Sequence, residues 1–203
     1  MKDFIEKYFT GFANAIENIV VTDSKNMPVD FTSSIEKINA LLLSLQSNNK
    51  KVVMIGNGGS AGICSHQAVD YWKNGNIKAV TFNDSSLLTC ISNDFSYAEV
   101  FSKPIEMFAE EGDMVYCISS SGKSVNILNA AKAAKEKKCD IITFSGFDDK
   151  NPLRQEGVFN FYIPNYSYGM VEILHLFIIH AILDAKLYCN DKVDIFNQNN
   201  KMQ

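Results

Sequence analysis

The chain lacks the features that mark several large classes of protein. Its 203 residues contain no long basic run and carry a formal net charge of -4, which disfavours binding to the phosphate backbone of a nucleic acid. No apolar run is long enough to span a membrane, and the charged, amphipathic N-terminus has no uninterrupted apolar signal region. We therefore expect a cytoplasmic protein that has neither a nucleic acid nor a membrane as its partner.

The chain also lacks paired cysteines. Its 5 cysteines are scattered without the spacing of a metal knuckle, a pattern that favours reduced thiols in a core over disulfides. With 46% hydrophobic and 21% charged residues, the chain is able to bury one complete α/β core. The cysteines are Cys64, Cys90, Cys117, Cys139 and Cys189.

What the chain does contain is an alternation of apolar strands and helical segments that begins at Lys51. Because parallel strands joined by helices use right-handed crossovers, this alternation predicts an α/β fold with three layers and a five-stranded, mostly parallel sheet. The ligand cleft of such a sheet lies beyond the carboxyl ends of its strands. The predicted strands lie near residues 51–55, 78–82, 113–118, 140–145 and 158–163.

Helical patterns flank this sheet at both ends of the chain. Apolar stripes over residues 4–19 and 35–45 predict two helices before the first strand, with a linker around residues 23–28 between them. A long apolar helix is predicted from about residue 168 to residue 187. The aromatic stripe on the first helix favours packing against another subunit, with packing on the chain's own sheet as the alternative.

A small-residue turn, Ser-Ser-Ser-Gly-Lys-Ser at residues 119–124, separates the strand at 113–118 from a helical segment. Free backbone N–H groups at a helix N-terminus, together with serine hydroxyls, predict an anion site, because the helix dipole favours negative charge there. On this segment alone, an ordinary serine-rich cap and turn remains the alternative.

A second turn, rich in glycine, follows the first strand at residues 56–61. Its glycines allow close approach of the backbone to a ligand, and Ser60 is able to cap the next helix. Two strand–turn–helix units of this kind favour one ligand at the carboxyl edge of the sheet. The Gly-x-Gly-x-x-Ala spacing, with Asp84 after the next strand, also fits a dinucleotide site, but that interpretation leaves the serine turn and the histidines unexplained.

Titratable residues occur at helical spacing on two segments. His66 and Asp70 lie four residues apart, which suits a divalent metal or a base with an orienting partner, with a surface hydrogen bond as the alternative. Glu172, His175 and His180 interrupt the apolar last helix, where unpaired groups are costly. Glu172 and His180 reach one ion only with extended side chains, and His175, to which no chemical role is assigned, is interpreted as a satisfied core histidine.

Together, these turns and helices resemble the sugar isomerase (SIS) domain family, and within it the phosphoheptose isomerases, over most of the chain. The resemblance implies a homotetramer and the interconversion of a ketose phosphate and an aldose phosphate, with sedoheptulose 7-phosphate as the expected substrate and a heptose 7-phosphate as the product. It divides the chain into a helical pair at 1–50, an SIS phosphosugar-binding domain at 51–189 and a polar tail at 190–203. The residues that carry it are the turn at 56–61, His66, Asn93 and Asp94, residues 100–102, the turn at 119–124, Glu172, His175 and His180.

The resemblance also assigns site residues. It implies a divalent metal, zinc being preferred over manganese or iron, and no nicotinamide. Asp70 or Glu172 would act as the base and His180 as the opposing acid. The implied metal ligands are His66, Asp70, Glu172 and His180. The implied substrate-binding residues are Asn57, Gly58, Gly59, Ser60, Asp94, Ser119, Ser120, Ser121 and Ser124.

The chain departs from the family at several positions. The family carries glutamate in place of Asp70, glutamine in place of Glu172, Ala-Asp-Ala in place of residues 62–64, and an acid in place of Gly169. The changed ligand positions keep open a non-catalytic SIS-type phosphosugar sensor. A protein-interaction adaptor is a further alternative to an enzyme, and the retained His66 and His180 argue against it.

Overall fold

The computed structural model describes residues 1–196 and has a mixed, seven-stranded sheet at its centre. The strands are β1 (Val20–Asp23), β2 (Pro28–Val29), β3 (Lys51–Gly56), β4 (Lys78–Thr81), β5 (Met114–Ser119), β6 (Asp140–Gly146) and β7 (Phe159–Ile163). Their order is β2-β1-β7-β6-β5-β3-β4, with parallel pairing from β7 to β4 and antiparallel pairing of β1 with both of its neighbours.

Helices cover both faces of this sheet. They are α1 (Lys2–Glu17), α2 (Phe31–Ser47), α3 (Gly59–Lys73), α4 (Ser85–Asp94), α5 (Ser102–Phe108), α6 (Val125–Glu136) and α7 (Tyr168–Cys189). One core lies between the sheet and α2, α3 and α7, and a second core lies on the opposite face under α5 and α6. The predicted three-layer α/β class is confirmed.

The central parallel strands β3, β5 and β6 are mostly apolar and buried because they are covered on both faces, whereas the edge strand β4 is partly exposed. Along β3, Val52 and Met54 enter the first core, while Val53 and Ile55 enter the second, and all four are fully buried. Apolar runs of this kind can be recognised in the sequence without knowing which strands pair with each other. The five strands predicted from them lie within two residues of the observed ones.

The prediction of five strands was wrong by two, because β1 and β2 lie in and beside the segment interpreted as a linker. Val21 pairs with Val29 in β2 and with Phe161 in β7. The Asp23 side chain accepts backbone N–H bonds from Lys25 and Met27, which closes the turn between the two strands. Strands of four and two residues give too little periodicity to be separated from the preceding helical stripe.

A buried lysine, Lys186, ties the end of α7 to the segment after α3. The Lys186 side chain is almost fully buried, and its Nζ donates to the Gly75 carbonyl oxygen and to Asp191 Oδ2, both at 2.7 Å. A buried ammonium needs such partners, so this contact holds α7 in place beside α3. The two helices that carry the predicted histidines are therefore fixed relative to each other.

The cysteines are divided between the core and the surface. Cys64, Cys117 and Cys139 are buried, whereas Cys90 and Cys189 are exposed, so the expectation that the cysteines lie in a core was wrong for two of them. Within residues 1–196, no helix is long and apolar enough to cross a membrane. Of the predicted polar tail, residues 197–203 lie outside the described residues.

Candidate active site

The two predicted turns meet at the carboxyl ends of β3 and β5, which are neighbouring strands. Both turns depend on glycine. A Cβ atom on Gly56 would lie 2.7 Å from the Ser60 Cβ atom, and Gly122 has a φ of 61° and packs against the Asn151 side chain. The turns therefore bring the N-termini of α3 and α6 to one point on the edge of the sheet.

A pocket of about 140 Å³ opens at this point, and we call it the serine pocket. Its polar groups come from both turns and from the first two turns of α7. Helix N-termini and hydroxyls suit an anion, as the sequence predicted. The residues that line the serine pocket are Asn57, Ser60, Ile118, Ser119, Ser120, Ser121, Ser124, Tyr168 and Glu172.

The hydroxyls of the serine pocket are only partly engaged. Ser124 precedes α6 but makes no capping side-chain hydrogen bond, and its Oγ lies 3.2 Å from the Ser119 Oγ. The Ser120 Oγ is buried and has no hydrogen-bond partner among the described residues. An unpartnered buried hydroxyl is costly, so a ligand that accepts or donates a hydrogen bond here would be favoured.

Asn57 is held in the pocket by two side chains to which the sequence analysis assigned no role. Its amide and that of Asn126 exchange two hydrogen bonds of 2.9 Å, and the Tyr97 hydroxyl donates to Asn57 Oδ1 at 2.9 Å. These contacts fix the orientation of Asn57 before any ligand binds. Asn126 and Tyr97 lie far from Asn57 in sequence, so no local spacing indicated the contact.

Glu172 contributes a carboxylate to the serine pocket. A Cβ atom on Gly59 would lie 2.7 Å from the carboxyl carbon of Glu172, so Gly59 leaves the space that this carboxylate fills at the N-terminus of α3. The helix dipole favours a negative charge at that position. Glu172 lies eight residues before His180, about 12 Å along the helix axis.

A second polar group, which we call the histidine cluster, consists of His66, Asp70 and His180. One ligand atom from each of these residues lies within 4.8 Å of the other two, and no Glu172 atom belongs to the group. His66 Nε2 lies 3.3 Å from Asp70 Oδ2, and the two imidazole centroids are 5.8 Å apart. Helical spacing brings the first two residues together, whereas the packing of α7 on α3 adds His180.

Gln67 completes the histidine cluster, although the sequence analysis assigned it no role. Its side chain is fully buried, and its Nε2 lies 2.8 Å from His180 Nε2 and 3.4 Å from Asp70 Oδ2. Because an amide nitrogen only donates, this contact is a hydrogen bond in the tautomer of His180 that leaves Nε2 without a proton. The position of Gln67, three residues before Asp70 on the same helix, could have predicted that the two side chains lie on one face.

Asp184, one turn after His180, was also missed. It is half-buried, and this burial raises its pKa, an effect that His180 opposes and Asp70 reinforces. The His-x-x-x-Asp spacing from His180 to Asp184 repeats that from His66 to Asp70, and this repeat was visible in the sequence.

Two other predicted residues lie apart from these groups. Asp94 is exposed at the end of α4, where it accepts hydrogen bonds from Cys90 and Asn93 and does not line the serine pocket. His175 is buried in the first core, with its Nε2 3.2 Å from the Ser145 carbonyl oxygen, and burial lowers its pKa to about 4. The expected core position of His175 is confirmed.

Fold and site together define an α/β protein with a serine-lined pocket at the carboxyl edge of its sheet and a cluster of two histidines and an aspartate between α3 and α7. A family model described as "SIS domain" matches residues 8–146, and the chain belongs to this family. It is 30% identical over 177 residues to phosphoheptose isomerase from Glaesserella parasuis, which covers 84% of this chain and 89% of that protein.

Other comparisons agree. Phosphoheptose isomerase from Clostridium acetobutylicum is 32% identical over 203 residues, covering 96% of this chain and 100% of that protein. The solved structure of phosphoheptose isomerase GmhA from Neisseria gonorrhoeae superposes with a TM-score of 0.77 at 28% identity, covering 91% of this chain and 98% of that one. The resemblance predicted from the two turns and the histidines is confirmed.

Proposed function

We propose that this chain is a phosphosugar aldose–ketose isomerase that converts sedoheptulose 7-phosphate into a heptose 7-phosphate. Its membership of the SIS domain family and its likeness to phosphoheptose isomerases support the assignment. The observation that carries it is that the serine pocket and the histidine cluster share the same two helices, α3 and α7.

The separation of the two groups fits a sugar phosphate. Ser60 and His66 are six residues apart on α3, about 9 Å along its axis, and the spacing of Glu172 and His180 on α7 is about 12 Å. A sugar with its phosphate at one end and its carbonyl near the other has a comparable length. Phosphate binding in the serine pocket would therefore place the carbonyl end at the histidine cluster.

The histidine cluster contains the acid–base pair that isomerisation requires. In a ketose, the base removes a proton from the terminal carbon beside the carbonyl, and an acid protonates the carbonyl oxygen as the enediolate forms. Return of a proton to the former carbonyl carbon and loss of the proton from the terminal hydroxyl give the aldose. We assign Asp70 as the base and His180 as the acid, since Glu172 lies at the phosphate end.

The same residues suit a divalent cation. Two imidazoles and a carboxylate converge within 4.8 Å, a donor set that fits zinc and also accepts manganese or iron. We propose that His66, Asp70 and His180 hold the ion, and Glu172, which was also predicted as a ligand, lies outside this group. When bound, such an ion would polarise the carbonyl and hydroxyl oxygens of the sugar.

An assay in heavy water tests the function. The purified chain, with and without chelation and added zinc, is incubated with sedoheptulose 7-phosphate, other ketose phosphates and unphosphorylated sedoheptulose as the matched control. We expect an aldose product and deuterium incorporation only with a phosphorylated sugar. Tight binding of the phosphosugars without turnover would favour the sensor instead, and full activity in metal-free protein would leave an acid–base cluster without an ion.

We further propose that the enzyme works as a cytoplasmic homotetramer. Large apolar side chains on α1, α3 and α7 are exposed, among them Phe9 (70%), Trp72 (54%) and Phe177 (42%). Phe177 and Tyr188 line an apolar groove that includes His180, so a neighbouring chain packed there would lie next to the histidine cluster. Light scattering measures the mass, and mixing Ser124→Ala with His180→Ala chains tests for shared sites through recovered activity.

A further inference from the structure

We propose that the side-chain amide oxygen of Gln67 is a further ligand in the metal centre of the histidine cluster. The inference rests on the metal centre proposed above and concerns how this chain completes its ligand set. It assigns a role to a fully buried polar residue on α3.

The position of the amide matches that of a ligand. Donor atoms that bind one small cation at 2.0 to 2.2 Å lie roughly 3 to 3.5 Å from each other. Gln67 Nε2 lies 2.8 Å from His180 Nε2 and 3.4 Å from Asp70 Oδ2, and His66 Nε2 lies 3.3 Å from that same oxygen. The contact with Asp70 falls within this range and the contact with His180 is slightly shorter, so the end of the Gln67 side chain lies beside the other donors at nearly the spacing of a shared ligand shell.

The hydrogen bonding of the amide is incomplete. Gln67 Oε1 is buried and has no hydrogen-bond partner among the described residues. A buried carbonyl oxygen in that state is unfavourable. A cation is the kind of partner that such an oxygen accepts.

Rotation about the last side-chain bond exchanges the two ends of the amide with little change of shape. In the orientation observed, the NH₂ group donates to His180 Nε2 and Asp70 Oδ2. A cation bound by those two atoms would repel the NH₂ group and attract the oxygen, so the oxygen would turn inward. The rotation moves the NH₂ group into the unpartnered position, so the oxygen turns inward only when the bond to the ion offsets that cost.

Amide oxygen is a hard ligand, and it suits manganese and magnesium more than zinc. We therefore expect Gln67 to contribute more to manganese affinity than to zinc affinity. Glu172 does not supply this ligand, because its carboxylate lies in the serine pocket at the start of α3.

The test is a comparison of metal affinities in the full chain, measured by competition with a chelating indicator dye after removal of bound metal. Gln67→Leu keeps the side-chain volume but removes the amide, and we expect a loss of affinity of about 10- to 100-fold, greater for manganese than for zinc. Gln67→Glu keeps an oxygen in place and should match or exceed the original affinity. Gln67→Met serves the same purpose if the leucine variant does not fold.

Asn39→Leu is the matched control, because Asn39 Oδ1 on α2 is also a buried oxygen without a partner among the described residues. Its metal affinity should equal that of the original chain. Equal affinity in Gln67→Leu, or equal losses in Gln67→Leu and Gln67→Glu, would overturn the ligand role while the metal centre stands. If the original chain bound neither ion, the metal centre and the Gln67 inference would both fall, whereas the isomerase assay would be decided separately.

Discussion

The serine pocket and the histidine cluster use the same two helices but are built in different ways. The serine pocket is made of turns at the ends of β3 and β5, and glycines at tight positions let two helix N-termini converge. The histidine cluster is made of side chains from the middle of α3 and α7, which meet only because the helices pack together. The serine pocket thus depends on local backbone shape, whereas the histidine cluster depends on long-range packing.

The two regions also differ in exposure. Ser119 and Ser120 are each 5% exposed, whereas the His66 side chain is 59% exposed. The phosphate end of a ligand would therefore be held against the sheet, and the reacting end would lie near the surface. A surface position for the chemistry fits the proposal that a neighbouring chain packs beside His180.

The largest effect that separates the regions is expected for His180→Ala. Loss of the acid should lower kcat by about 100- to 10,000-fold, while the affinity for sedoheptulose 7-phosphate should change little because the serine pocket is intact. Steady-state kinetics and calorimetric binding measure the two quantities. A kcat within a factor of about ten of the original would exclude His180 as the acid.

A change in pH tests α7, the element that both regions share. His175 is neutral in the fold, and burial lowers its pKa from 6.5 to about 4. Above pH 6.5 the contribution of His175 to the free energy of unfolding is complete. As the pH falls from 6.5 toward 4, the unfolded chain binds a proton at this residue and the folded chain does not, so the folded state loses stability. The free energy of unfolding should fall by about 3 kcal/mol over this window through this residue alone.

Urea unfolding of the original chain and of His175→Gln at pH 7 and pH 4.5 measures this contribution. Glutamine does not take up a proton in this range, so the variant should lose less stability on acidification. An equal loss of unfolding free energy in both chains would show that protonation of His175 does not cause the loss of stability at low pH.

A smaller effect, confined to the serine pocket, is expected for Ser121→Ala combined with Ser124→Ala. Removal of both hydroxyls should weaken binding of a phosphosugar by about 1 to 3 kcal/mol in total. The kcat at saturating substrate should change much less, because the histidine cluster is untouched. Unchanged affinity would reject the serine pocket as the phosphate site.

The smallest effect is expected for Glu172→Gln, which removes a charge from the serine pocket without changing its shape. A carboxylate and a phosphate repel each other, so inorganic phosphate should bind more tightly by about 1 kcal/mol at low salt and less at high salt. Calorimetry at two salt concentrations measures the difference. If metal affinity fell instead, Glu172 would belong to the metal centre, as the sequence predicted.

Much of the fold could be read from the sequence because it depends on local patterns. The central parallel strands are mostly apolar runs covered on both faces, and the two turns directly follow β3 and β5. By contrast, β1 was missed because its partner β7 is more than a hundred residues away and because four residues show no clear alternation. Asp94 was assigned to the sugar from the resemblance, yet the structure places it at the exposed end of α4.

The sequence by itself determined the two turns that line the serine pocket, since in each turn the strand end, the small residues and the helix N-terminus lie within a few residues of each other. It also determined that His66 and Asp70 share a helix face, because the helical repeat sets that relation. Only the tertiary structure decided that His180 and Gln67 complete one cluster while Glu172 enters the serine pocket. Those positions depend on how α7 packs across α3, and the separation of residues along one helix does not specify that packing.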